Sequence, residues 1–142
     1  MTTAPYQGQR LGLPAMGSGA VAPLGRRLLA LLVDWVLCLL IAVGVFGMEW
    51  GEVSGTESMV PLSILFVEHA VLVGTVGATV GHRLLGIRVD SLDRGPVPTP
   101  PPLLRSVARA ALLCLGVPPL IMDADGRGLH DKAARSVVVR TR

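Results

Sequence analysis

The run GRRLLALLVDWVLCLLIAV, residues 25 to 43, constrains this chain more than any other stretch. Eighteen or more consecutive apolar residues with few charges read as a membrane span, because about 20 of them cover a hydrocarbon core roughly 30 Å thick. The run opens on Arg26 and Arg27 and carries one carboxylate, Asp34, in its first third. An ionised aspartate at that depth costs a few kcal/mol or more unless it is paired, hydrated or protonated. Apolar blocks recur further along the chain. Mean hydropathy is +0.58 and only 16% of the 142 residues are charged, against about a quarter in soluble domains. The expectation is a membrane protein with one compact domain.

Residues 1 to 24 are rich in Gly, Pro, Ala and Thr, carry one charge, Arg10, and show no periodicity; they read as a disordered tail. The first span is expected over about residues 28 to 47. Its apolar run exceeds a signal-peptide core and lacks a clear small-residue cleavage site after it, so a retained signal-anchor is expected. EWGEVSGTES follows, with Glu49, Glu52 and Glu57 and no Lys or Arg. A second span is expected over about residues 60 to 80, where Ala70, Gly74 and Ala78 lie four apart. Such small residues let a neighbouring helix approach closely, although they are also ordinary in membrane helices.

The chain then turns basic in GHRLLGIRVDSLDRG and stiff in PVPTPPP, where prolines forbid a helix. The third apolar block, LLRSVARAALLCLGVPPLIM, has Arg105 and Arg109 one helical turn apart and Gly116, Pro118 and Pro119 as breakers. A third helix over about residues 103 to 122 is therefore expected to lie in the interface or to enter and return. The remaining residues, 123 to 142, form a basic tail ending in SVVV. Cytoplasmic loops collect Lys and Arg. Basic residues before the first span, after the second and in the tail thus place both termini in the cytoplasm of an inner-membrane, multi-pass protein. The fold expected is an all-α membrane protein with two transmembrane helices, a third interfacial or re-entrant helix, and a cytoplasmic two-stranded element made by GIRV and SVVV.

Four segments in order, GRRLLALLVDWVL, TVGATVGHRLLGIRV, LLRSVARAAL and RGLHDKAARSVVV, resemble the RDD family of membrane proteins over about residues 25 to 140. The likeness implies an integral membrane protein. It places the family's defining arginine and two aspartates on Arg27, Asp34 and Asp131. The third apolar block is brief and proline-broken beside the longer stretch of other members. Transport of ions or small solutes is the role usually suggested for the family.

Asp34 follows Arg27 by two helical turns, on the same face and roughly 10 Å deeper. Its candidate partners are Arg105, Arg109 and His69. In one reading Asp34 binds an arginine of the third block and pins that block under the bundle. In another, Asp34 with Glu68 and His69 lines a proton or cation path; in a third it is protonated and bonds a carbonyl. Glu68 and His69 sit near mid-membrane, where ionisable groups point to function by default; a shifted span boundary would instead bring Glu68 to the outer surface. Asp131 is expected to join a cytoplasmic cluster with Arg83, Arg88 or Arg27.

Other chemistries find little footing. Cys38 and Cys114 lie in apolar runs and read as small buried hydrophobes, without a disulfide framework or zinc spacing. DADGRG has its glycine too early for a calcium loop, and GHRLLG lacks the phosphate-loop pattern. The arginines of GHRLLGIRV suit acidic lipid headgroups or simply fix topology. No nucleophile–base pair points to an enzyme, no cofactor is implied, and the basic residues lack the aromatic interleaving of nucleic-acid binders. Two helices cannot enclose a pathway. The reading is therefore a transport-related module acting as a homo-oligomer or with a larger partner, or else a non-catalytic accessory or scaffold subunit.

Overall fold

A computed structural model describes residues 4–50, 59–93, 99–115 and 123–142. Helix α1, Leu24–Gly44, starts behind the extended Pro23 and is roughly 32 Å long. It is the one described helix long and apolar enough to cross a membrane, with a hydropathy of 2.2 over its most apolar window. Its buried stripe is Ala30, Asp34, Cys38 and Ala42, each four residues from the last. Leu28, Leu32, Val36 and Leu40 are 41–56% exposed on another face. Small and polar residues thus face inward and large apolar ones outward along this helix.

The second apolar segment is shorter than expected. Helix α2, Met59–Glu68, runs on as a π-helical turn over His69–Val73, roughly 22 Å in all, and the helical path ends by Thr75 rather than at residue 80. The chain stops there because Gly77 turns it with a φ of +78°. The Gly77 carbonyl accepts from the Val89 amide at 2.7 Å, which commits the following residues to the sheet. The small-residue stripe does admit a neighbour. A Cβ on Gly74 would lie 2.8 Å from Leu103 Cδ1 and 3.1 Å from the Leu103 Cα, so helix α4, Leu103–Cys114, passes close against it. Of the expected third helix, residues 116 to 122 lie outside the described residues, as do residues 51 to 58 of the acidic loop.

Between these helices stand the short α3, Val80–Leu84, and strand β1, Ile87–Ser91. Helix α5, Leu129–Ala133, and strand β2, Ser136–Arg140, close the fold. The two strands pair antiparallel, with Arg88 opposite Val139 and Val89 opposite Val138. GIRV and SVVV meet as the sequence suggests. Their inner residues, Ile87, Val89 and Val138, pack with Ala22, Ala30 and Val73 into one core.

The N-terminal segment departs from the reading of a tail without structure. Gln9–Leu11 forms a 3-10 turn, and Val21 makes a bridge to Val139. The Ala22 amide donates to the Val138 carbonyl at 2.9 Å, and Arg140 N donates to Ala20 O at 2.8 Å. The free edge of β2 presents unpaired backbone groups, and Ala20 and Ala22 are small enough to be buried against it. Composition alone cannot show such an acceptor edge.

Candidate functional site

Two buried carboxylates organise the interior, and each is held by a different set of donors. Asp34 sits on the inward stripe of α1 and is fully buried. Its Oδ2 accepts from Thr79 Oγ1 at 2.6 Å and its Oδ1 from the Gly81 amide at 2.7 Å. His69 Nε2 lies 3.4 Å from Oδ2. Thr79 is also the N-cap of α3, where its hydroxyl accepts from the His82 amide and His82 Nδ1 accepts from the Thr79 amide, both at 3.2 Å. One hydroxyl therefore ends a helix and anchors a carboxylate. Asp34 thus joins α1 to α3. It does not pair with Arg105 or Arg109, because α4 packs on the π-turn and on α5, and Arg109 has another acceptor.

That acceptor is Asp131, also fully buried. Arg109 Nε donates to its Oδ1 at 3.1 Å, and Arg27 Nη1 to its Oδ2 at 3.4 Å. The Gly128 amide donates to the same Oδ2 at 3.3 Å, so Asp131 also caps its own helix α5 at the position where a carboxylate suits the helix dipole. The expected cluster therefore forms with Arg27, from the three arginines named for it. Arg88 instead bonds Asp90, two residues along its strand, at 3.0 Å, and Arg83 is exposed. Arg105 pairs with Asp93 near the surface.

Between the two carboxylates lies a cavity of about 30 Å³ whose polar lining is Arg27, Arg109, His69, His82 and His130. The His69 and His82 rings meet edge to face, with centroids 5.8 Å apart, and His130 Nε2 is 3.5 Å from Asp131 Oδ1. On the other side of Asp34, Glu68 accepts from Cys38 Sγ at 3.4 Å, and its second oxygen, Oε1, is buried without a partner among the described residues. Glu68 also borders an open apolar groove with Ile41, Phe46, Ser63, Ile64 and Val67. Of the expected path residues, Asp34 contacts His69, and Glu68 lies within interaction range of Asp34 as well as accepting from Cys38. The π-turn begins at His69, and such turns are frequent at functional sites.

The sequence model of the RDD family matches residues 21–135. The chain belongs to the RDD family. No curated protein and no solved structure matches it. The RDD match begins at residue 21, where the chain docks on β2, so the docked segment lies at the edge of the RDD unit. The three residues assigned to the family's name divide between two clusters: Arg27 and Asp131 meet directly, and Asp34 stands in the other. Thr79, Gly81, His82, His130 and Cys38 escaped the sequence reading as partners. One signal was present, since Thr79 and His82 stand at the three-residue spacing of a capping box.

Burial, with Arg109 next in effect, pushes the His130 imidazole down to about 3, and burial lowers His82 in the same sense. Burial raises Asp131, but Arg109 and the other positive neighbours outweigh it and hold the carboxyl below its usual range. A histidine depressed in the fold binds its proton only after unfolding, so stability is full above the ordinary value of 6.5 and falls as pH drops towards about 3. Asp131 adds its own loss only once pH falls below the usual carboxylate value. The thermal midpoint in detergent is therefore expected to decline steadily between pH 7 and pH 5, at up to about 1.4 kcal/mol per pH unit for each histidine. His130→Gln is expected to make that slope shallower; a midpoint independent of pH over this interval contradicts the assignment of neutral histidines.

Proposed function

We propose that this RDD protein is a multi-pass module of the inner membrane that moves protons or cations across it as a homo-oligomer, with Glu68 as the titrating group. The observation that carries this reading is an unbroken file of ionisable side chains that runs from half-buried Glu68 into the buried interior. Glu68 is within electrostatic reach of Asp34, Asp34 contacts His69, His69 touches His82, and the cavity leads to His130 and Asp131. Ionisable groups in an apolar segment are expensive, and they mark ion or proton pathways more often than not. Asp34 has both oxygens engaged by α3, which leaves Glu68, with one oxygen free beside an open groove, as the group able to exchange its proton.

The topology follows the same logic. Residues 20 to 27, β1 and the segment from α5 to β2 are bonded to one another, so they share one side of the bilayer. Their arginines favour the cytoplasm. Helix α1 rises from that side, α2 with its π-turn returns to it as a short second span, and α4 lies at the interface or re-enters. Two spans enclose no pathway, so the groove at Glu68 becomes a subunit contact in the working assembly.

Proton or cation flux in proteoliposomes tests the proposal. Flux by the wild type and its loss in Glu68→Gln, at an unchanged thermal midpoint, is the expected result. A wild type without flux favours the alternative of a non-catalytic accessory or scaffold subunit that binds another membrane protein. One observation supports that alternative: Asp34 and Asp131 are both satisfied within the chain, as structural ties would be.

A further inference from the structure

The cavity between the two carboxylates has more donors than the protein uses. Arg27 Nε and Nη2 and Arg109 Nη1 are buried without a hydrogen-bond partner among the described residues, as are Nδ1 of His69 and Nδ1 of His130, whose Nε2 atoms face Asp34 and Asp131. All four side chains line the same cavity, and the arginine side chains are only 9% and 3% exposed. A buried donor left unmade costs about 1–3 kcal/mol, more when it is charged. The charges are also unequal around this space. Two guanidiniums share the single carboxylate of Asp131, while Asp34 is turned away towards Thr79 and Gly81. The imidazole of His130 is neutral at physiological pH, so it adds no positive charge to the two guanidiniums.

We propose that this cavity binds one small monatomic anion of the chloride class, held by the unpaired donors of Arg27 and Arg109. A space of about 30 Å³ holds an occupant near the size of one water molecule, which leaves out phosphate, sulfate and carboxylates. A water fits by volume but answers the need poorly. It leaves the surplus positive charge of the two guanidiniums uncompensated. A halide accepts from several donors at once and balances the charge. Metal cations do not match: among the described residues no three His, Cys, Asp or Glu side chains converge to hold one. The site does not depend on the transfer role of Glu68, which lies on the far side of Asp34.

The test uses the full chain purified in detergent, titrated with sodium chloride against sodium gluconate at constant ionic strength. Chloride-35 line broadening is expected to saturate and to be reversed by bromide, and the thermal midpoint is expected to rise with chloride but not with gluconate. Arg27→Lys keeps a cation beside Asp131 and removes donors from the cavity. It is expected to weaken the halide by roughly tenfold, the loss of one charge-assisted hydrogen bond. Equal midpoints in chloride and gluconate, with no saturable broadening in the wild type, mean that the cavity holds water only and overturn the proposal. Those wild-type measurements decide the matter even where the lysine variant fails to fold. Full halide affinity in a folded Arg27→Lys protein equally overturns it.

Discussion

Asp131→Ala is expected to abolish the native fold. The carboxylate is the shared acceptor of Arg27 from α1 and Arg109 from α4, and it caps α5 through the Gly128 amide. Its removal leaves two guanidiniums buried with no counter-charge. Breaking a buried pair from one side costs about 3–5 kcal/mol, and loss of the cap adds about 1 kcal/mol. That sum approaches the whole stability of a typical domain, about 5–15 kcal/mol. Asp131→Asn keeps the shape and an acceptor oxygen, so it is expected to lose less. Size-exclusion profile and thermal unfolding in detergent read both variants. An alanine variant that elutes and melts like the wild type contradicts the role given to Asp131.

Gly81→Ala is the second large effect, and its cause is space rather than backbone freedom. A Cβ at this position would stand 2.1 Å from the Ala30 carbonyl oxygen and 2.9 Å from Asp34 Oδ1. Neither atom can yield: one is the backbone of α1 and the other is locked by Thr79. Helix α3 must therefore retreat from α1, which breaks the 2.7 Å bond from the Gly81 amide to Asp34 and strands a buried carboxylate. Overpacking alone costs about 1–3 kcal/mol, and the lost charge-assisted bond adds about 1.5–3 kcal/mol. Gly25→Ala is the control, since a Cβ there meets nothing within 4 Å. It is expected to shift stability by no more than about 0.5 kcal/mol. Equal midpoints for the two alanine variants would contradict the close approach of α3 to α1.

Much of the architecture was legible in the residues. The long apolar run gives α1, the β-branched GIRV and SVVV pair as strands, and small residues at Ala70 and Gly74 mark where α4 packs. The end of the second helix was not legible, because Thr75 to Ala78 carries no charge and no proline to mark a stop. What stops it is the turn at Gly77 and its bond to β1, a tertiary event. The docking of residues 19 to 22 on β2 was hidden for a similar reason, since it depends on an edge created by a strand more than a hundred positions away. At the site, depth in an apolar run singled out Asp34, and the resemblance to the RDD family added Arg27 and Asp131, but pairing could not be read from either. A helical face tells which side chains share a side; it does not tell which of several arginines reaches which carboxylate. The choice was made by α5, which carries Asp131 under Arg109, and by the Thr79 cap, which takes Asp34 first.

That partition of charges is the central claim, and double-mutant cycles on Arg109 test it most directly. Arg109→Gln is combined once with Asp131→Asn and once with Asp34→Asn, and unfolding free energies are compared with those of the single variants. A coupling of about 1–3 kcal/mol is expected between Arg109 and Asp131, with near-additivity, within about 0.5 kcal/mol, between Arg109 and Asp34. Coupling to Asp34 and additivity with Asp131 would contradict the account.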